Sequence, residues 1–226
     1  LRVGALRPPT SMPDLAILKP VLTPRRRAEM FLRRRTLNMW AKFCYAPRSA
    51  RIDVDRLKKV GYILADATAL GLAGGPVEAA IRAFVPASAD QDPDKAGVIV
   101  RAVKTGSVVS ADDPVYRAGI EGPLKVIADE FYGLQSRLLY PDIWVVRPIT
   151  EPQRRGSQQW HRDPEDVPIL KAFYYPDGVE PDQGPLEYDL IDRIVSLAAP
   201  PQTVAFFDAS HLHRGGYCTG RPRISA

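Results

Sequence analysis

Apolar positions recur at helical spacing in the first half of the chain and as short β-branched and aromatic runs in the second. Residues 1–22 hold Pro8, Pro9, Pro13 and Pro20 among aliphatics and read as an extended arm. Thr23-Pro24 is a helix start, with Thr as N-cap and Pro at the first helical position. Ala28, Phe31, Leu32, Met39, Trp40 and Phe43 then form one stripe, ended by Pro47. A second helix is expected from Asp53 through Leu57, Val60, Leu64 and Ala67, broken by Gly74-Gly75-Pro76. Val77, Ala80, Ile81 and Phe84 predict a short third helix. Residues 86–97 are polar and Asp-rich, as in a loop, and 98–121 fit neither period. Pro123 opens a last helix with Leu124, Ile127, Phe131, Leu134 and Leu138 on one face.

The pattern changes at Tyr140. Ile143–Val146, Leu170–Tyr175 and Thr203–Phe207 are strand-like runs, bounded by turn residues such as Pro176-Asp177-Gly178 and Pro200-Pro201. Helices followed by strands predict an α+β protein with helices on one face of a sheet or sandwich. We expect one domain overall, with a helical part over 1–139 packing on a β core over 140–226. No internal repeat is visible.

Composition narrows this only a little. With 226 residues, 45% hydrophobic and 25% charged, the chain is ordinary globular material. No apolar run approaches the ~18–20 residues of a membrane span. The chain starts at Leu1 and stops inside a strand-like segment, so both ends read as trimmed, and no signal peptide is visible. Cys44 and Cys218 make no disulfide framework, and a cytoplasmic setting is expected. The net charge of +5 is unevenly spread: Arg25–Lys59 holds twelve basic residues against three acidic ones. Such a cluster is a solvated helix face or a surface for an anionic partner. No aromatic interleaving or DNA-reading motif accompanies it, which argues against nucleic acid.

The chemistry lies in the histidines. The chain has three, and all fall in Gln158-Gln159-Trp160-His161-Arg162-Asp163 and His211-Leu212-His213-Arg214-Gly215-Gly216. On a strand, His161 and Asp163 point to one face, so imidazole and carboxylate can converge on one ion. A third ligand from His211 or His213 would complete a facial two-histidine, one-carboxylate site, the arrangement of mononuclear iron(II) oxygenases. Three positions then stay open for a chelating cosubstrate and dioxygen. Arg223 lies ten residues past His213, with Ser225 at i+2 on the same face. A bidentate arginine with a neighbouring hydroxyl suits the far carboxylate of 2-oxoglutarate. His211 and Arg221 have the same spacing. Gln158 is a further candidate cosubstrate contact, and Lys171, Phe173 and Tyr175 share a strand face that could border the pocket.

Three segments together resemble the phytanoyl-CoA dioxygenase family. They are Trp160-His161-Arg162-Asp163, then Asp182-Gln183-Gly184-Pro185-Leu186-Glu187-Tyr188, then Phe206-Phe207-Asp208 with Leu212-His213-Arg214-Gly215-Gly216 and Arg221-Pro222-Arg223. The resemblance covers roughly residues 140–226. It implies a double-stranded β-helix (jelly-roll) core, iron(II) as the metal cofactor, and 2-oxoglutarate and O2 as cosubstrates. It also implies His161, Asp163 and His213 as metal ligands and Arg223 as anchor with Ser225 as helper. Oxidation of a C–H bond in a small organic substrate, such as a secondary metabolite, would release succinate and CO2. Related halogenases lack the carboxylate, so Asp163 points to hydroxylation, desaturation or ring formation. The family usually has a longer loop where Tyr188 here runs straight into Asp189, so we expect residues to be missing at that junction. Two rivals remain: a jelly-roll metalloenzyme that does not use 2-oxoglutarate, and a non-catalytic protein that recruits an acidic partner through the basic helices.

Overall fold

The structure, a computed structural model, describes residues 32, 35–36, 39–43, 45, 49–93, 98–101, 110, 112–149, 153–163 and 168–226. The extended arm, the Thr23-Pro24 helix start, Cys44 and much of the basic cluster lie outside these residues. The chain divides into two compact units, Leu1–Trp40 and Ala41–Ala226. In the first, the described positions Leu32, Arg35, Thr36, Met39 and Trp40 are helical.

The second unit carries four helices among its described residues: α1 Val54–Val60, α2 Pro76–Ala87, α3 Pro114–Ile120 and α4 Gly122–Tyr132. Asp53 caps α1 by accepting from the Arg56 N–H, and Asp113 caps α3 by accepting from Val115 and Tyr116. Glycines in the left-handed region, Gly61 and Gly133, end α1 and α4. The last helix therefore stops before Leu134 and Leu138.

Nine strands among the described residues follow the order β1 Tyr62–Asp66, β2 Ile99–Arg101, β3 Trp144–Val146, β4 Leu170–Tyr175, β5 Leu186–Asp189, β6 Ile194–Ser196, β7 Thr203–Asp208, β8 His213–Gly215 and β9 Arg223–Ser225. All pairings are antiparallel, in three ladders: β1-β7-β4, β2-β3-β9 and β6-β5-β8. Tyr174 and Ala226 exchange both backbone hydrogen bonds, at 2.8 and 3.1 Å, which joins the first two ladders into one larger sheet, β1-β7-β4-β9-β3-β2.

Alternation along the strands gives this sheet two different faces. Tyr174, Val204, Phe206 and Ile224 pack outward against Leu57, Ile81, Ile127 and Phe131 of the helices. Phe207 and Phe173 point the other way, toward Leu186 and Tyr188 of the smaller sheet. Helices thus cover one face and a second sheet covers the other. No helix among the described residues is long and apolar enough to cross a membrane.

Three expectations need correction. The second helix does not reach Ala67: Gly61 (φ +87°) turns the chain, and residues 62–66 become β1. Leu64, expected on that helix, lies in β1 and is 38% exposed. Because β1 and β2 precede residue 139 and pair with strands beyond it, the sequence division at 139/140 is not a structural boundary. The junction at Tyr188-Asp189 also lacks the expected gap. Both residues lie in one unbroken strand whose partners in β6 are Val195 and Ile194, and a short turn closes the hairpin.

Gly184 (φ +66°) precedes β5, where a Cβ would meet the backbone at Tyr217 C (2.7 Å) and Cys218 N (2.8 Å). Gly71 (φ +71°) has nothing within 4 Å of that position. Gly71→Ala should therefore cost only about 1 kcal/mol of backbone strain. Gly184→Ala adds a clash that backbone cannot relieve cheaply, for a total of about 2–4 kcal/mol. Thermal denaturation of both variants checks this, and equal losses would contradict it.

Candidate metal centre

The approach to the centre is a 3-10 turn, Gly156–Gln158. Gln158 is buried, and its side-chain oxygen accepts from the Arg155 N–H at 3.2 Å. That oxygen closes the turn rather than facing the histidines. Arg154 donates to the carbonyls of Gln158 and Gly215, both at 3.3 Å, which fastens the turn to β8.

His161 and His213 form an isolated antiparallel bridge, with both backbone hydrogen bonds at 3.0 Å. Directly opposed residues project to the same side, and the two imidazole centroids are 4.4 Å apart. The Asp163 N–H donates to the Ala209 carbonyl at 3.0 Å, which brings its carboxylate to that side too. Nε2 of His213 is 3.6 Å from Asp163 Oδ2, and Nε2 of His161 is 3.8 Å from Oδ1. One ligand atom from each of the three residues lies within 4.8 Å of the others, so the trio could hold a metal ion.

Hydrogen bonding prepares both rings for that role. Nδ1 of His161 is 2.7 Å from the Gln159 carbonyl, and Nδ1 of His213 is 2.9 Å from the His211 carbonyl. A carbonyl only accepts, so each Nδ1 carries the proton and each Nε2 keeps a lone pair. Burial pushes the His213 pKa down to about 4, helped by the neighbouring His161, while the bond to His211 opposes the shift. The ring is neutral at pH 7, the form that binds metal.

His211 stands outside the trio. Its side chain is 55% exposed, stacks on Tyr188 and lies 3.8 Å from Asp208. The turn that separates it from His213 is fixed by Asp208, whose Oδ1 accepts from both the N–H and the hydroxyl of Ser210. Arg221 is likewise exposed, whereas Arg223 and Ser225 are buried. Between the two possible His/Arg pairs, the structure places His213 and Arg223 inside.

The inner wall also holds groups that spacing alone could not assign. Lys171, opposite Phe207, puts Nζ 2.5 Å from Asp163 Oδ2. The contact is an ion pair without hydrogen-bond alignment, because Oδ2 accepts no aligned bond. Phe207 contacts His213 edge-on at 5.3 Å, and Phe173 contacts Phe207 at 5.2 Å and Trp144 at 5.5 Å. At the far end, Nε and Nη1 of Arg223 and the hydroxyl of Tyr175 are buried without hydrogen-bond partners among the described residues. A buried, unpaired guanidinium costs several kcal/mol, a cost that a carboxylate bound there would offset. The donor set therefore fits a divalent metal at one end of the wall and an anion at the other. Cys218 is buried against Val146, and burial pushes its thiol pKa up, which suits a packing role. Two open surface depressions, of about 260 and 340 Å³, are lined by residues 49–58, 122–126 and 130, none of them in the centre.

No family model and no curated protein sequence matches the chain. Solved structures do. The chain is similar to SnoN, a non-heme alpha ketoglutarate dependent epimerase from nogalamycin biosynthesis, at 17% identity over 76% of this chain and 80% of that one, with a TM-score of 0.55. It is similar to SnoK, a non-heme alpha ketoglutarate dependent carbocyclase from the same biosynthesis, at 17% identity over 80% and 85%, with a TM-score of 0.55. EctD from S. alaskensis, solved with bound Fe, matches at 19% identity over 80% and 76%, with a TM-score of 0.51. At such identities the likeness concerns the fold, and it bears out the α+β jelly roll.

Loss of a ligand side chain should separate the two late histidines. His161→Ala and His213→Ala are each expected to weaken Mn(II) or Co(II) binding by more than the roughly 10–100-fold typical of losing an outer-shell partner. His211→Ala should leave binding unchanged. Calorimetric titration reads this directly, and the reverse pattern would reassign the ligand.

Proposed function

We propose that this chain is an iron(II)- and 2-oxoglutarate-dependent oxygenase of the phytanoyl-CoA dioxygenase type, acting on a C–H bond of a small organic substrate. The observation that carries this reading is Arg223, whose buried Nε and Nη1 find no hydrogen-bond partner among the described residues, on the same inner wall as the His161, Asp163 and His213 cluster. A metal site alone would not need it, and a binding protein working through surface helices would need neither. The similar SnoN structure is described in complex with Fe3+, alpha ketoglutarate and nogalamycin RO.

In this reading His161 and His213 present neutral Nε2 lone pairs, and Asp163 supplies the one negative ligand. Iron(II) bound there would supply the oxidising chemistry, in which 2-oxoglutarate and O2 become succinate and CO2 as one oxygen atom enters the substrate's C–H bond. Arg223, with Ser225 beside it, holds the cosubstrate's far carboxylate and so fixes the direction in which its keto acid end points. Lys171 neutralises Asp163 and keeps the carboxylate in place. Phe173, Phe207 and Trp144 line the wall and limit water around the reacting groups. The carboxylate of Asp163 occupies the position that halogenases leave open, so the expected outcome is hydroxylation or a related oxidation.

The test is an anaerobic titration of the protein with iron(II) and 2-oxoglutarate, followed by O2. A weak visible charge-transfer band, then succinate, is the expected result. Arg223→Ala should weaken 2-oxoglutarate binding at least about 100-fold while sparing metal affinity, since it removes one partner of a buried charge pair. Absence of the band and of succinate in the unaltered protein would overturn the reading. Normal oxoglutarate turnover by Arg223→Ala would overturn the anchor.

A further inference from the structure

We propose that Trp160, Arg214 and Glu187 are positioning residues for the metal ligands, a clamp on the outer face of the smaller sheet that holds His161 beside His213. The inference rests on the reading of His161, Asp163 and His213 as iron ligands and deepens it.

The segment that carries His161 has little backbone support. Its bridge to β8 is isolated, with two hydrogen bonds between His161 and His213 and one more from the Asp163 N–H to Ala209. Register places a row of side chains directly behind that bridge. Because His161 opposes His213, Trp160 opposes Arg214 in antiparallel order. Arg214 in turn opposes Glu187 of β5, just as His213 opposes Tyr188. Alternation turns this row to the face away from the imidazoles.

The contacts agree with the register. The Arg214 guanidinium lies 4.2 Å from the ring centroid of Trp160, and its Nε donates to Glu187 Oε2 at 2.5 Å. The other carboxylate oxygen is 3.7 Å from Arg154 Nη2, and the Arg154 guanidinium lies 4.3 Å from the ring centroid of Tyr217. One carboxylate thus joins two arginines, each stacked on an aromatic ring. Burial and the Arg214 charge push the Arg154 pKa down, and Glu187 opposes them. The Arg214 and Glu187 side chains are only 18% and 20% exposed, so salt screens the pair weakly.

The clamp reaches the metal ligand through one peptide. The Gln159 carbonyl accepts from Nδ1 of His161 at 2.7 Å, and the nitrogen of that same peptide belongs to Trp160. Pinning Trp160 therefore fixes the carbonyl that orients the His161 ring and turns Nε2 toward Asp163. Arginine suits the middle of the row, because its planar guanidinium stacks on a ring and pairs edge-on with a carboxylate at once.

The test is an anaerobic titration with Co(II), read both as affinity and as the visible bands of the bound metal at saturation. Trp160→Leu and Arg214→Leu should each weaken Co(II) binding about 10–100-fold, as for other outer partners of metal ligands, and shift the bands. The double variant should lose little more than either single change, because both remove the same contact. Arg82→Ala breaks ion pairs with Glu78 and Asp177 on the helix side, and it should move neither readout. Unchanged affinity in the two single variants, additive losses in the double, a loss with unchanged bands, or an equal loss in Arg82→Ala would each overturn the clamp and leave the metal site standing. If the unaltered protein binds no Co(II), the metal reading falls and takes this inference with it.

Discussion

The two backbone hydrogen bonds between His161 and His213 are the constraint on which the centre depends. They are the point where an irregular segment is tied to the smaller sheet, and they set the facing of both imidazoles at once. A slip of one residue would turn one ring to the opposite face. Neighbouring contacts defend that register. Arg154 clamps the preceding turn to Gly215, and the Asp163 N–H is held by Ala209. Both Nδ1 protons are spent on carbonyls two residues away in sequence, so ring orientation and tautomer follow from the same local backbone.

Much of this was legible because the relevant signals are local. β3, β4 and β7 are runs of β-branched and aromatic residues, and they form almost where expected. His161 and Asp163 share a face through simple alternation. What escaped did so for physical reasons. β2, β6, β8 and β9 have three residues each, too short for any period to register. Leu57, Val60, Leu64 and Ala67 satisfy helical spacing, but pairing with β7 and the left-handed turn at Gly61 override it. The choice between His211 and His213 depended on burial, a tertiary property that equal spacing to Arg221 and Arg223 could not supply. Gln158 read as a cosubstrate contact because it lies close in sequence to His161 and Asp163, whereas its oxygen serves the turn. Tyr175 was visible only as a strand residue, since its missing partner is apparent only in three dimensions.

The electrostatics of the inner wall are unusual for a protein core. Among the described residues, Lys171 and Arg223 bring two positive charges to a wall where Asp163 supplies the carboxylate. Such an arrangement costs stability in the empty protein and favours an anionic chelate. The depressed pKa of His213 keeps that ring from adding a further positive charge.

β9 lies between β3 and β4, strands that precede it by about 80 and 50 residues. During synthesis, both flanking strands leave the ribosome well before the one that joins them. The segments carrying His161, Asp163 and His213 can meet earlier, whereas Arg223 arrives only with the strand that closes the larger sheet. Such late, long-range closure is slow in antiparallel folds. Completion of the sheet and arrival of the Arg223 charge are therefore one event, so an incompletely folded chain could gather the His161, Asp163 and His213 cluster and still lack the buried cation at the other end of the wall.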